Sequence, residues 1–272
     1  MIRKILALLS ILGLLIAFIS CSNGKDTEMK FTGAENEVKI MTLDPGHFHA
    51  ALVQKSMYDQ IDPIVHIFAP EGSDVVDHMK RINNFNSRAD DPTAWKIEQH
   101  TGSDYLEKMI AEKPGNVMVT SGNNRHKTKY IKAAVDAGIN VLADKPMCIN
   151  KEGFELLKQA FTSAEEQNVL LYDIMTERYE ISTILQKELS LLPDVFGEFT
   201  IGTPEKPAVT KESVHHFFKY VSGNPIKRPV WYFDTKQQGE GIVDVATHLV
   251  DLIQWECFPE QVLSSADVEM VN

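Results

Sequence analysis

Residues 116 to 121 read Asn-Val-Met-Val-Thr-Ser, and residues 138 to 146 read Gly-Ile-Asn-Val-Leu-Ala-Asp-Lys-Pro. Each holds a short β-prone run, and between them residues 125 to 137 follow a helical pattern that Gly138 stops. Strand, helix and strand at this spacing predict parallel neighbours joined by a right-handed crossover. Upstream the pattern repeats. Val38 to Leu43 is a strand ended by Asp44-Pro45-Gly46, with a helical stretch from His47 to Tyr58. Ile64 to Ala69 is a strand ended by Pro70-Glu71-Gly72, Asp74 to Phe85 is helical, and Trp95 to His100 is a third strand after the Asp90-Asp91-Pro92 break. Ser103 caps a helix to Glu112, with Asp104 and Glu107 placed where the helix dipole favours acids. Downstream come a helix at 151–167 and a strand at 169–174. Ligands of such sheets sit beyond the carboxyl ends of the strands. The loops at 44–49, 69–72, 121–126 and 144–148 are therefore expected to meet at one crevice.

Beyond these elements the chain changes to loops, aromatics and longer β-prone runs at 196–202 and 213–221. A second sheet and a domain change near residue 150 are expected. The fold class is thus α/β, a parallel sheet domain over 37–150 followed by an α+β domain over 151–272, with an incomplete C-terminus expected.

The first residues have a separate character. Arg3 and Lys4 precede an uncharged apolar run from Ile5 to Ile19, shorter than the roughly 20 residues a spanning helix prefers. This reads as an export signal over 1–21. Phe18-Ile19-Ser20-Cys21 resembles the lipobox of bacterial lipoproteins, which would make Cys21 the lipidated first residue. Residues 22–36 are polar, without hydrophobic period, and read as a tether. A cell-envelope location, lipid-anchored, follows. An uncleaved N-terminal anchor is the other reading. The formal charge of −11, with scattered Lys and Arg, argues against a nucleic-acid partner. Besides Cys21 only Cys148 and Cys257 are present, too few for a disulfide framework and expected as buried free thiols.

Near the C-terminus, Gly239-Glu240-Gly241 runs into an apolar helix that carries Asp244 and His248 four residues apart. That spacing stacks the two side chains on one helical face. A carboxylate beside an imidazole suits proton transfer to or from a substrate hydroxyl. Such a pair also occurs as a solvated surface pair, and Asp144-Lys145-Pro146 also serves simply to end a strand.

Four segments together resemble the Gfo/Idh/MocA family of nicotinamide-dependent oxidoreductases. Ser121-Gly122-Asn123-Asn124-Arg125-His126 is similar to the family's Thr-Pro-Asn-x-x-His loop. Gly138 through Pro146 is similar to Ala-Gly-x-x-Val-x-x-Glu-Lys-Pro, with Asp144 in place of Glu. Glu177-Arg178-Tyr179 is similar to the Arg-Phe or Arg-Tyr pair after the sixth strand, and Trp231 to Asp251 to the segment Trp, Gly-Gly-Gly, Asp-x-x-x-His-x-x-Asp. The resemblance implies a Rossmann domain followed by an open-faced sheet domain, NAD or NADP as cofactor, and a sugar or cyclitol hydroxyl as substrate. It implies that Lys145 contacts the nicotinamide ribose and the substrate hydroxyl, and that Asp244 and His248 line the substrate side. Gly46, His47, Phe48, Glu71, Ser121, Asn123, His126, Lys145 and Pro146 would hold the cofactor. Arg178, Tyr179, Trp231 and Asp251 would hold the substrate. His248 is the expected proton acceptor, Asp244 its orienting partner or that of the substrate hydroxyl, and Lys145 the group that stabilises alkoxide charge.

The first turn departs from the family. Where Gly-x-Gly-x-x-Gly lets backbone approach a pyrophosphate, this chain reads Asp44-Pro45-Gly46-His47-Phe48-His49-Ala50. Only Gly46 remains, and Asp44 brings an acid to the turn. Two alternatives follow. A carbohydrate-binding lipoprotein could stand on a decayed oxidoreductase fold, or His47 and His49 could join Asp244 and His248 in a metal site of a lyase or hydrolase. His215-His216 falls on a strand-like run whose alternation sends the pair to opposite faces. No metal is assigned in the leading reading. An exported oxidoreductase has little free nicotinamide cofactor available, so it would retain its cofactor, as members that cleave glycosides by oxidation and re-reduction do. Homo-oligomerisation through the second-domain sheet would cover its exposed edges.

Overall fold

The computed structural model describes residues 31–269 apart from 176, 213–217 and 222. The signal segment, Cys21, most of the tether and His215-His216 lie outside the described residues. Six parallel strands form one sheet in the order β3-β2-β1-β4-β5-β6. They are β1 (Ile40–Leu43), β2 (Ile64–Ala69), β3 (Lys96–Thr101), β4 (Val117–Thr120), β5 (Asn140–Ala143) and β6 (Leu171–Asp173). The helices between them are α1 (His49–Leu52), α2 (Ser73–Ser87), α3 (Tyr105–Glu112), α4 (Asn124–Asp136) and α5 (Lys151–Gln167).

Period-two alternation builds both faces of the sheet. Met41, Leu43, Phe68, Met118 and Val141 point to one side, where Met109, Ile131, Ala134 and Ala160 of α3, α4 and α5 cover them. Ile40, Val65 and Val119 point to the other, where Ala51, Ile82 and Phe85 of α1 and α2 meet them together with Trp95. Two features of this half differ from the sequence reading. The helix expected over 47–58 is the four-residue α1 alone. The sheet also runs past residue 150, because α5 packs on α4 and β6 pairs with β5, so the sheet domain extends to Asp173.

The C-terminal half comprises α6 (Ile181–Ser190), α7 (Pro193–Phe196), β7 (Tyr220–Val221), β8 (Asn224–Pro225), α8 (Thr235–Gln238), α9 (Gly241–Asp244) and α10 (Ala246–Cys257). Its only sheet among the described residues is the two-stranded β7–β8 hairpin. The strand expected over 196–202 is not formed. Pro193 starts a short helix ending at Phe196, and Ile201 is fully exposed, so that run has no partner sheet to pair with. Everything from Glu35 onward packs as one unit. Among the described residues no helix is long and apolar enough to cross a membrane. Cys148 and Cys257 are free and half-buried.

His78 of α2 is buried with neither ring nitrogen hydrogen-bonded. Burial, with the Arg81 charge adding to it, pushes its pKa down to about 4. As pH falls from 6.5 toward 4 the unfolded chain takes up a proton that the folded chain refuses, so stability drops through that window. The loss is on the order of 3 kcal/mol. We expect His78→Leu to flatten the dependence of the urea midpoint on pH between 7 and 4. An unchanged slope would remove His78 as its source.

Candidate active site

The carboxyl ends of β1, β4 and β5 are tied together by one carboxylate. Asp144 directly follows β5 and is 2 % exposed. Its backbone N–H donates to Thr120 of β4 at 2.9 Å. Its side chain accepts from Ser121 Oγ at 2.7 Å and from His49 Nδ1 at 3.0 Å. His47 Nδ1 faces it at 3.2 Å without hydrogen-bond alignment. Burial alone would raise the Asp144 pKa, but the adjacent His47 and His49 rings outweigh it and hold the carboxyl well below the usual range. Beneath it, the buried Lys127 donates to the carbonyls of Asp144 (3.1 Å) and Pro146 (3.3 Å) and to Asn124 Oδ1. Burial pushes the Lys127 pKa down to about 8.

This base presents Lys145 to a cavity of about 210 Å³ that also holds His47, His49, Tyr232, Asp244 and His248. Lys145 Nζ lies 3.0 Å from both the carbonyl and the Oδ1 of Asp244. Tyr232 donates to Asp244 Oδ2 at 3.2 Å. Burial would raise the Asp244 pKa, yet the Lys145 charge and these donors keep it below its usual value. His248 also faces the cavity, its pKa lowered by burial and by the Lys145 charge, with Glu177 Oε1 3.9 Å from Nδ1. The single helix expected to carry Asp244 and His248 is two, α9 and α10, divided at Val245. Thr247 Oγ1 donates back to the Val243 carbonyl while Lys145 takes that of Asp244, and such competition bends helices. Asp244 is thus engaged by Lys145 and Tyr232 instead of orienting His248.

Other expected residues divide. Asn123 caps α4 by accepting from Arg125 N–H at 3.0 Å and donates to Gln237 at 2.7 Å. Pro146 is buried under the loop, and His126 and Glu71 are exposed. Ser121 is spent on structure, since its hydroxyl serves Asp144 and its carbonyl accepts from Gly46 and His47 N–H, each at 3.0 Å. Arg178 and Asp251, expected on the substrate side, pair with each other, Nε to Oδ2 at 2.6 Å, and join the Glu177–Tyr179 turn to α10. Tyr179 is exposed and meets Tyr172. Trp231 sits at the phosphate end, its indole N–H donating to Asp74 Oδ2 at 2.7 Å. Sequence reasoning missed Tyr232, Lys127, Lys219 and Arg228; no motif marks them, and distant chain segments bring them in.

The histidines at 47 and 49 meet Asp144, not Asp244, and the three offer ligand atoms within 4.8 Å of one another. Arg228 Nη1 lies 3.2 Å from His47 Nε2. A guanidinium only donates, so Nε2 accepts and the ring proton sits on Nδ1, toward Asp144. Burial pushes the His47 pKa down to about 3 and keeps the ring neutral. With Lys127, Lys145 and Arg228 close by, this cluster is a hydrogen-bonded anchor and a poor host for a cation.

The crevice fits a dinucleotide best at its nicotinamide end. At the phosphate end a Cβ on Gly46 would fall 2.8 Å from Asp74 Oδ2 and 3.0 Å from Trp231 Cζ2, and one on Gly122 would fall 2.2 Å from the Asp44 carbonyl. Both glycines are thus required for close approach of the chain to itself. The Asp44 carboxylate accepts from Tyr130 OH at 3.1 Å. Burial raises its pKa to about 6.

Comparison with known proteins agrees with this architecture. Residues 45–172 match the oxidoreductase family described as NAD-binding Rossmann fold, and residues 185–272 match an oxidoreductase C-terminal domain. A crystal structure from Parabacteroides merdae ATCC 43184, assigned to the oxidoreductases, is 62% identical with a TM-score of 0.81 over 85% of this chain and 53% of that one. GenD2 from gentamicin A biosynthesis, solved with NAD, is 15% identical with a TM-score of 0.54, covering 82% of this chain and 54% of that one. The WlbA dehydrogenase from Bordetella pertussis, solved with NADH and UDP-GlcNAcA, is 15% identical with a TM-score of 0.51 and coverages of 82% and 60%. No curated protein matches. The fold and crevice are those of the NAD-binding Rossmann class of the oxidoreductase family. The chain belongs to the Gfo/Idh/MocA family. It spans about half the length of the solved structures it matches.

Asp144→Asn would place amide hydrogens against donors that now meet a carboxylate. We expect a loss of about 2–3 kcal/mol in urea unfolding at pH 7. An unchanged midpoint would show that the three strand ends do not depend on this group.

Proposed function

We propose that the protein is an exported NAD(P)-dependent oxidoreductase that acts on a hydroxyl of a sugar or cyclitol. The observation that carries this reading is Lys145 held by Asp244 beside His248, in one cavity at the carboxyl ends of β1 and β5. The nicotinamide group, when bound, supplies the hydride acceptor. Lys145 and Phe48, which line that cavity, would hold it. His248, whose lowered pKa keeps the ring neutral at pH 7, takes the proton of the substrate hydroxyl as the carbinol C–H bond breaks. The Lys145 ammonium stabilises the alkoxide charge that develops. Asp244 and Tyr232 act through Lys145, as positioning residues. Family neighbours solved with NAD and with a nucleotide sugar support cofactor and substrate class.

A second reading has a specific observation in its favour. The turn at 44–50 keeps one glycine, and its Gly46 and His47 N–H groups are taken by Ser121. A carbohydrate-binding lipoprotein without turnover would have that feature. Retained cofactor, including use in redox-assisted glycoside cleavage, separates the two readings. Protein starting at residue 22, denatured after purification, is expected to release NAD(H) or NADP(H) detectable by mass spectrometry. No release, with no binding of added cofactor, would favour the non-catalytic reading. Lys145→Met is expected to lower kcat by about 100-fold or more, and unchanged turnover would remove Lys145 from the reacting centre.

Export and anchoring rest on the sequence of residues 1–21. Cys21→Ser is expected to move the protein from the membrane to the soluble fraction of a fractionated cell, and retention at the membrane would remove Cys21 as the anchor. Self-association belongs to the same proposal, through the C-terminal half where Ile201, Val230 and Val262 stand exposed. Light scattering that shows a monomer would exclude it.

A further inference from the structure

Away from the crevice, at the edge of the sheet, β2 and β3 carry a second cluster of metal-ligating side chains. His66 and Glu98 are register partners, as are Phe68 and His100. Parallel neighbours in register share a face, and residues two apart on a strand share it too. His66, Glu98 and His100 therefore project to one side of the β2–β3 edge. One ligand atom from each lies within 4.8 Å of the other two. His66 Nδ1 and Glu98 Oε2 are 3.3 Å apart, close to the roughly 3.4 Å edge of a tetrahedron with metal–ligand bonds near 2.1 Å. The rings of His66 and His100 lie 6.0 Å apart and nearly parallel, and His100 lies flat against Phe68 at 4.6 Å, so the His66 ring turns about its Cβ–Cγ bond to bring its Nδ1 lone pair onto an ion held by His100 Nε2.

A second observation points to a ligand. His66 Nδ1 and His100 Nε2 are both buried and neither has a hydrogen-bond partner. An unsatisfied buried polar nitrogen costs about 1–3 kcal/mol. Two of them, beside a carboxylate whose side chain is 57% exposed, are a costly arrangement unless something accepts their lone pairs. A divalent cation does so at both nitrogens at once.

We infer that His66, Glu98 and His100 form a binding site for a borderline divalent transition cation of the zinc type, with water at the fourth position. Two imidazoles and one carboxylate select such an ion over Mg2+ or Ca2+, which prefer oxygen donors. The exposed Glu98 closes the site from solvent by a rotamer change. The ion would cross-link the edge strand β3 to β2. None of the three residues lines the Lys145 cavity, so the site is independent of the oxidoreductase reading.

The test uses the full chain freed of metal with chelator, then titrated with Zn2+ and with Mg2+ by calorimetry and by thermal unfolding. One Zn2+ per chain and a higher unfolding midpoint are expected, with no response to Mg2+. Glu98→Gln, at an exposed position that leaves the fold intact, and His100→Gln should each weaken Zn2+ binding by at least the roughly 10- to 100-fold that loss of a supporting contact alone costs. His49→Gln should leave it unchanged. Absence of Zn2+ binding by the wild type would overturn the assignment. So would binding that survives both edge variants but disappears in His49→Gln, which would put the ion at the His47–His49–Asp144 anchor.

Discussion

The carboxylate of Asp144 is the constraint on which the crevice depends. An ionised group this deeply buried is tolerated only when its lone pairs are met, and the donors come from two loops, Ser121 after β4 and His49 after β1, with His47 of the second loop facing it at 3.2 Å. Satisfying one buried charge therefore brings three strand ends together. Lys127 completes the arrangement from below by holding the carbonyls of the same loop. The family's glycine-rich turn lets a cofactor come close; here the same turn carries imidazoles that come close to Asp144. The change at 47 and 49 and the Asp at 144 are read best as one adaptation, in which side-chain hydrogen bonds fix a loop that elsewhere is fixed by its backbone.

The C-terminal half is attached to this base by polar contacts at several points. Asn124 donates to the Gln238 carbonyl at 2.8 Å, Asn123 to Gln237, Trp231 to Asp74, and Lys145 to Asp244. Within that half, Arg178–Asp251 and Lys211–Glu256 hold α10 against the preceding segments. The apolar core is concentrated around the parallel sheet. The C-terminal half leaves Phe196, Ile201, Phe233 and Ile242 on its surface. Its position is set mainly by directional contacts, which is why its geometry specifies a site so closely.

The parallel sheet was legible because its signals are local. Apolar runs of four to six residues, set off by Pro and Gly, mark the four central strands β1, β2, β4 and β5, whereas the edge strand β3 is polar and β6 spans three residues. Motif order pointed to Lys145, Asp244 and His248 together, and the three line one cavity. What failed depends on pairing that no local pattern encodes. Arg178 and Asp251 have the chemistry of substrate ligands, but they neutralise each other across 73 positions of sequence. Residues 196–202 read like a strand and pair with no other strand among the described residues. The helix after β1 gives way at Leu52 to tight turns, in which Gln54 N–H donates to the Ala51 carbonyl and Lys55 N–H to that of Leu52. Lys127 gave no sign: a lysine in a polar helical stretch is ordinarily on the surface.

Half of the hold on Lys145 comes from a main-chain carbonyl, that of Asp244, exposed to it where the helix divides at Val245. A backbone acceptor survives any replacement of the side chain it belongs to. Position 244 can therefore drift during divergence, to asparagine or glutamate for instance, while the lysine stays aimed into the cavity. Chemistry at this centre can be retuned by altering the acid without first dismantling the scaffold that presents the ammonium. That separates the inheritance of the site's shape from the inheritance of its reactivity.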